Sequence, residues 1–330
     1  MKGVVPATLL AALDAKLKAQ NKPGVASCFD LFAGTSTGCI IAGALASAPV
    51  VETFGGRRYD SPSDILRIYR EKGPSIFQPH SALIERLTKN PIDWWGQSYS
   101  SKGKEQAFLE AFGRTRLGDL NRNFVATFYE MSPEPRAVIA AAGPMFRKTG
   151  DAEYDRFYLR DIVNASSAAP IFFNPAAIDE NKVLAVDGGI FANNPAAAAY
   201  FAAASLVEPE RVAGIEIVSF GCGGVRVKYP KEIGTWGPVE WIKPEQGVPL
   251  LNLVSDSQAS AIDRQLKSFL GSRYDRFQPP LSEVVGTKGQ RLGRMDDGRA
   301  ENLDALQRIA QAYIDTPEVD ARLTALAKRL

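Results

Sequence analysis

Residues 31–41 read LFAGTSTGCII, and the fold turns on whether Ser36 within them is a nucleophile or a small residue in a tight turn. The pentapeptide Gly34-Thr35-Ser36-Thr37-Gly38 fits G-x-S-x-G, in which the first glycine lets a strand arrive and the second lets a helix leave in very little space. The neighbouring residues suit that geometry. Residues 26–33 (ASCFDLFA) form a short apolar run of strand character, and 39–48 is rich in Ala and Ile, as expected of a helix buried against a sheet.

Working outward, strands and helices alternate. Residues 124–130 (FVATFYE) and 137–142 read as strands joined by the turn SPEP; 160–169 reads as a helix stopped by Pro170. Residues 183–186 form a strand ending on Asp187-Gly188-Gly189, Asn194-Pro195 opens an Ala-rich helix to about residue 206, and 213–220 is another apolar strand. Such alternation implies an α/β fold, a mainly parallel sheet sandwiched between helices. Ahead of it, Pro6 sits in the first turn of a helix that places Val5, Leu9, Leu10, Leu13 and Leu17 on one stripe. That helix continues past any cleavage point, so it is preferred to a secretory signal. Residues 62–88 are expected to be helical in pieces, interrupted at Gly73 and Pro74.

Beyond residue 225 the pattern changes. Residues 229–249 hold Trp236, Trp241 and several Gly and Pro, as in an irregular surface segment; 250–270 is helical and 274–299 is polar and turn-rich. Helices follow over 300–314 and 317–329, the second with Thr316 as its cap and Pro317 as its first residue. The organisation expected is an α/β domain over 1–272 with a C-terminal helical extension, 273–330, packed on it.

Composition narrows the function. With 45% hydrophobic and 23% charged residues among 330, the chain buries a real core. Lys and Arg number 39 against 37 Asp and Glu without a long basic run, so a nucleic acid is not the expected partner. Cys28, Cys39 and Cys222 are odd in number and widely spaced, which argues against a disulfide framework or a zinc site and suits the cytoplasm. No stretch approaches the roughly eighteen uninterrupted apolar residues of a membrane span.

A serine nucleophile needs a base, usually a histidine held by a carboxylate. The chain has one histidine, His80, in FQPHSAL, which reads first as a solvated loop or cap; as a base it would define a His80-dependent esterase. Otherwise a carboxylate must serve, tuned by its surroundings. Asp187 is the best candidate: in LAVDGGIFANNP it stands where a strand ends, expected on the same edge of a parallel sheet as the Gly34 turn. A plain D-G turn is the alternative reading.

Four stretches together resemble the patatin-like phospholipases: GVVPATLLAALD at 3–14, FDLFAGTSTGCIIAGALA at 29–46, ASSAAPIFFNP at 165–175 and VDGGIFANNPAAAAY at 186–200. Weaker similarity runs through SFGCGG at 219–224 to about residue 270. The resemblance implies a lipid acyl hydrolase with a Ser-Asp dyad, Ser36 as nucleophile and Asp187 as base, Gly34 and Gly38 framing the nucleophile and Gly188 and Gly189 the base loop. It implies ester lipids as substrates, with peripheral contact to the membrane, and neither metal nor organic cofactor. Family members begin with a strand leading into a D-G-G-G-x-R-G loop that builds the oxyanion hole; here only Lys2 and Gly3 match its end. The Thr37 and Gly3 N–H groups are left as oxyanion donors, and a gap or open sheet edge is expected. Either the natural start lies upstream, the preferred reading, or this is a shortened member, impaired in catalysis and acting as a lipid-binding or regulatory protein. Trp94 and Trp95 suit either a membrane interface or a cap over the sheet. The stretch GCGGVRVKYPK at 221–231 reads as a loop rather than a nucleotide site, although some bacterial relatives are switched by cyclic nucleotides.

Overall fold

The computed structural model describes residues 1–76, 99, 101–225, 235–237, 240–241, 249–281, 284–285, 291–292 and 297–330. His80, Trp94 and Trp95 lie outside the described residues, as does most of 226–249.

The first helix, α1 (Val4–Ala19), buries the expected stripe of Val5, Leu9, Leu10, Leu13 and Leu17. Each fully buried leucine contributes about 1.5–3 kcal/mol. The strand expected over 26–33 begins only at Leu31. Before it, Val25–Cys28 makes one helical turn (α2), because Asp14 Oδ1 accepts the Val25 N–H at 2.8 Å and satisfies its first donor. Strand β1 (Leu31–Thr35) then leads through Ser36 into α3 (Thr37–Ser47). Helix α4 (Pro62–Ile76) runs through Gly73 and Pro74 where an interruption was expected. Its buried Ile65, Ile68, Tyr69 and Ile76 hold one face to the core, which outweighs the proline's missing donor. Helix α5 spans Ser101–Phe112.

Strands β2 (Asn123–Ser132) and β3 (Arg136–Ala142) form the expected hairpin, followed by α6 (Pro144–Lys148), α7 (Leu159–Ser166), β4 (Ala176–Ile178) and β5 (Val183–Asp187). After these come α8 (Gly189–Ala192), α9 (Ala196–Ala204) and β6 (Ile217–Phe220), which is shorter than expected because 209–214 coils into a 3-10 turn. Strand β7 (Gly224–Val225) precedes α10 (Pro249–Leu270). The polar stretch 274–299 holds strands β8 (Tyr274–Phe277), β9 (Pro280–Leu281), β10 (Val284–Val285) and β11 (Arg291–Leu292) rather than turns alone. Phe277 explains β8: it is fully buried and stacks on Phe220 of β6 with ring centroids 5.4 Å apart. Helices α11 (Ala300–Ile314) and α12 (Pro317–Arg329) share their core with α1. Thr316 stands at the N-cap position of α12, but its hydroxyl donates to Tyr313 O at 2.8 Å instead of capping the helix.

The α/β layering is as expected. Alternate residues of β2 face opposite layers: Phe124, Ala126 and Phe128 pack with α3 and α7, while Val125 packs with Phe146 of α6 and Ala202 and Leu206 on the α9 side. Parallel pairing joins β1 to β2, β6 to β8 and β7 to β9; β3 and β5 join β2 antiparallel, and β4 joins β5 antiparallel. Because β3 occupies residues 124–130 of β2 along one side, β1 and β5 share the other. They run head to head, Thr35 opposite Thr127 and Asp187 opposite Phe128.

Among the described residues β1 pairs only with β2 and β6 only with β8, and both strands line one cavity of about 1120 Å³. No helix among the described residues is long and apolar enough to cross a membrane.

Candidate active site

The cavity reaches Ser36 and Asp187. A Cβ on Gly34 would fall 2.3 Å from Gly38 O and 2.4 Å from Cys39 N, so the strand and the departing helix cross at this residue and only glycine fits. The second glycine of the pentapeptide is different: a Cβ on Gly38 meets nothing within 4 Å, so the tight passage rests on Gly34 alone. Ser36, between β1 and α3, holds φ 55° and ψ −123°, a left-handed backbone that costs a non-glycine residue about 1–3 kcal/mol. It occupies the N-cap position of α3, yet its hydroxyl does not cap the helix. The hydroxyl instead stands on the side of the Asp187 carboxyl, whose charged form it favours.

Asp187 ends β5 and is 5% exposed. Its expected neighbourhood with Ser36 is found, but by another route: β5 runs antiparallel to β2, so the two strand ends approach from opposite directions instead of ending on one edge of a parallel sheet. Gly189 N–H donates to Asp187 Oδ1 at 2.7 Å. Gly188 lets the loop lie on β2, since a Cβ there would fall 2.4 Å from Thr127 O. Burial pushes the Asp187 pKa up to about 6, against the opposing effects of the Ser36 hydroxyl, the Gly189 N–H and the Lys104 charge.

Two threonines brace the meeting point. Thr35 Oγ1 donates to Ala192 O at 2.6 Å, and the buried Thr127 hydroxyl, 2.7 Å away, therefore donates to Thr35. Thr37 opens α3, and its hydroxyl lies 2.8 Å from Tyr69 OH, which donates to Thr37 O at 3.0 Å. Gly3 packs against this pair: a Cβ there would stand 2.2 Å from both Thr37 Oγ1 and Tyr69 OH. Gly3 thus packs against the side chain of Thr37, the residue that follows Ser36. Lys2 lines the cavity, where burial lowers the pKa of its ammonium.

Sequence reasoning missed the support beneath the pair. The turn that ends α7 carries four of its bonds: Ser166 Oγ accepts the Ser36 N–H at 3.0 Å, Ala168 O accepts the Asp187 N–H at 3.0 Å, and Lys104 Nζ donates to Asn164 O and Ser167 O at 3.3 and 3.2 Å. The Cys39 thiol, acted on by Ser166, is pushed up to about 12 by burial and stays protonated. Lys104 did leave a signal in the sequence. It falls at the apolar helical spacing of Ala107, Phe108 and Ala111, the buried face of α5. The cavity wall also includes the apolar Ile41, Leu45, Phe108, Phe172 and Phe173.

The patatin-like phospholipase family model matches residues 1–200. Patatin-like protein 2 of Oryza sativa subsp. indica is 26% identical, the similarity covering 96% of this chain and 81% of that protein. Patatin-like protein 1 of Arabidopsis thaliana is 24% identical over 95% of this chain and 79% of its own length. The cGAMP-activated phospholipase of Pseudomonas aeruginosa is 26% identical over 96% of this chain and 86% of its own.

Proposed function

The chain belongs to the patatin-like phospholipase family, and on that footing we propose that it hydrolyses the carboxylic esters of membrane lipids, glycerophospholipids first, with Ser36 as nucleophile and Asp187 as general base. The observation that carries this reading is the meeting, in one cavity, of the Ser36 hydroxyl, held out on a left-handed turn, with the buried Asp187 carboxyl, whose charged form it favours.

Ser36 Oγ attacks the ester carbonyl carbon as its proton passes to Asp187. An aspartate with a pKa of about 6 is a stronger base than one in water and still ionised at neutral pH. The carbonyl electrons move to an oxyanion that the Thr37 N–H, at the positive end of α3, and the Gly3 N–H receive. Collapse expels the lipid alcohol, which takes the proton back from Asp187 and leaves the fatty acyl group on Ser36. Water, deprotonated by Asp187, then attacks the acyl carbonyl carbon; the bond to Ser36 Oγ breaks, Ser36 recovers its proton from Asp187, and the fatty acid leaves. The apolar wall of Leu45, Phe108, Phe172 and Phe173 suits the acyl chain. The enzyme works in the cytoplasm and meets its substrate at the membrane surface. The test is hydrolysis of phospholipid vesicles and of a soluble ester beside Ser36→Ala and Asp187→Asn: both variants lose activity on both substrates, and activity that survives Ser36→Ala contradicts the mechanism.

A second reading, a lipid-binding or regulatory protein impaired in catalysis, draws on the open β1 edge, which leaves the site next to a broad cavity. It predicts vesicle binding without hydrolysis by the 330-residue chain.

A further inference from the structure

Lys104 sits in a place that an ammonium group avoids. It is 2% exposed, on the apolar face of α5, in the wall of the cavity that holds Ser36 and Asp187. Its described contacts are the carbonyls of Asn164 and Ser167 and the face of the Phe173 ring, whose centroid lies 4.4 Å from Nζ. Two carboxylates act on its charge, Asp187 more than Glu105 of its own helix.

Those two carbonyls belong to the turn that also receives the Ser36 N–H through Ser166 and the Asp187 N–H through Ala168. They stand at the C-terminal end of α7, where a cation is favoured. We propose that Lys104 is the positioning residue of the Ser36–Asp187 pair: its ammonium ties down the turn from which both backbones hang and supplies the counter-charge that keeps the Asp187 carboxylate ionised. The inference rests on the reading of Ser36 and Asp187 as the reacting pair.

The other titratable groups around the pair are the Cys39 thiol on α3 and the Cys222 thiol after β6, both raised by burial. Beyond Cys222 stand Lys2 ahead of α1, Asp256 on α10 and the buried Tyr69 phenol on α4. Burial pushes the Lys104 ammonium itself down to about 7. Between pH 5 and 7 it is the cation that acts directly on Asp187.

The test is the pH profile of kcat/KM for a soluble ester in Lys104→Met and Lys104→Arg. Removing the cation raises the pKa of Asp187, so in Lys104→Met the acid limb moves up by about one pH unit. The rate then falls about tenfold at pH 5 beyond any loss seen at pH 8. Lys104→Arg keeps the limb in place. A role in packing alone lowers the rate equally at every pH, and an unmoved limb in folded Lys104→Met overturns the proposal. If Lys104→Met does not fold, the reciprocal measurement decides. In Asp187→Asn the ammonium loses its anion, and the Lys104 pKa, read by NMR of ¹³Cε-labelled lysine and assigned by its loss in Lys104→Arg, drops by about one unit. An unchanged value refutes the coupling. Activity that persists in Ser36→Ala defeats the underlying reading, whereas an unmoved limb with Ser36→Ala inactive defeats only the role of Lys104.

Discussion

Asp187→Asn should stabilise the protein while abolishing its activity, and the gain should grow with pH. The folded carboxyl has a pKa of about 6, against about 3.9 in an unfolded chain. Between those values the native state holds a proton that the unfolded state has released, so stability falls as pH rises through this window and the loss is complete above about 6. Two pKa units at 1.36 kcal/mol each put the cost of the buried carboxylate at about 3 kcal/mol at pH 8 and about 1.5 kcal/mol at pH 5. Asparagine removes that cost and still offers an oxygen to the Gly189 N–H. Unfolding in urea at the two pH values should therefore show a gain about 1.5 kcal/mol larger at pH 8 than at pH 5. Any geometric penalty of the substitution cancels in the difference. An equal effect at both pH values, or a destabilisation that grows with pH, refutes the reasoning.

Further predictions concern the turn and its supports. In the unsubstituted enzyme kcat/KM for a soluble ester should fall about tenfold per pH unit below about 6, as Asp187 takes up its proton; initial rates from pH 4.5 to 8 check this. Gly34→Ala places a methyl group 2.3 Å from Gly38 O, backbone that cannot yield, and should cost about 3 kcal/mol or more or prevent folding. Gly38→Ala, with open space around it, should leave the melting temperature unchanged or raise it through about 0.5–1 kcal/mol of helix propensity. Ser166→Ala leaves the Ser36 N–H without its acceptor and should cost about 1–3 kcal/mol in urea unfolding, with a loss in kcat rather than KM.

Much of the site was legible because its signals are local. LFAGTSTGCII carries a strand, a glycine crossing and a helix in eleven residues, and VDGGIFANNP carries a strand end and a glycine loop. What lay hidden depends on distant partners. An apolar strand reads the same in either direction, so nothing in VLAVD told that β5 runs against β2 and meets β1 head to head. Gly73-Pro74 looks like a helix break until Ile68, Tyr69 and Ile76 are seen to be buried on both sides of it. Val25–Cys28 reads as strand because the donor that makes it helical is satisfied by Asp14, eleven residues away. The turn after α7 was visible only as small residues, and its part in holding Ser36, Asp187 and Lys104 comes from contacts across 60 residues or more of chain for Lys104 and 130 for Ser36.

The most direct test of the account is intact-mass and peptide analysis after reaction with a fluorophosphonate lipid analogue. The account predicts one adduct, on the peptide containing Ser36, absent in Ser36→Ala and formed far more slowly in Asp187→Asn. An adduct on another residue, or lipid hydrolysis that persists in Ser36→Ala, would contradict it.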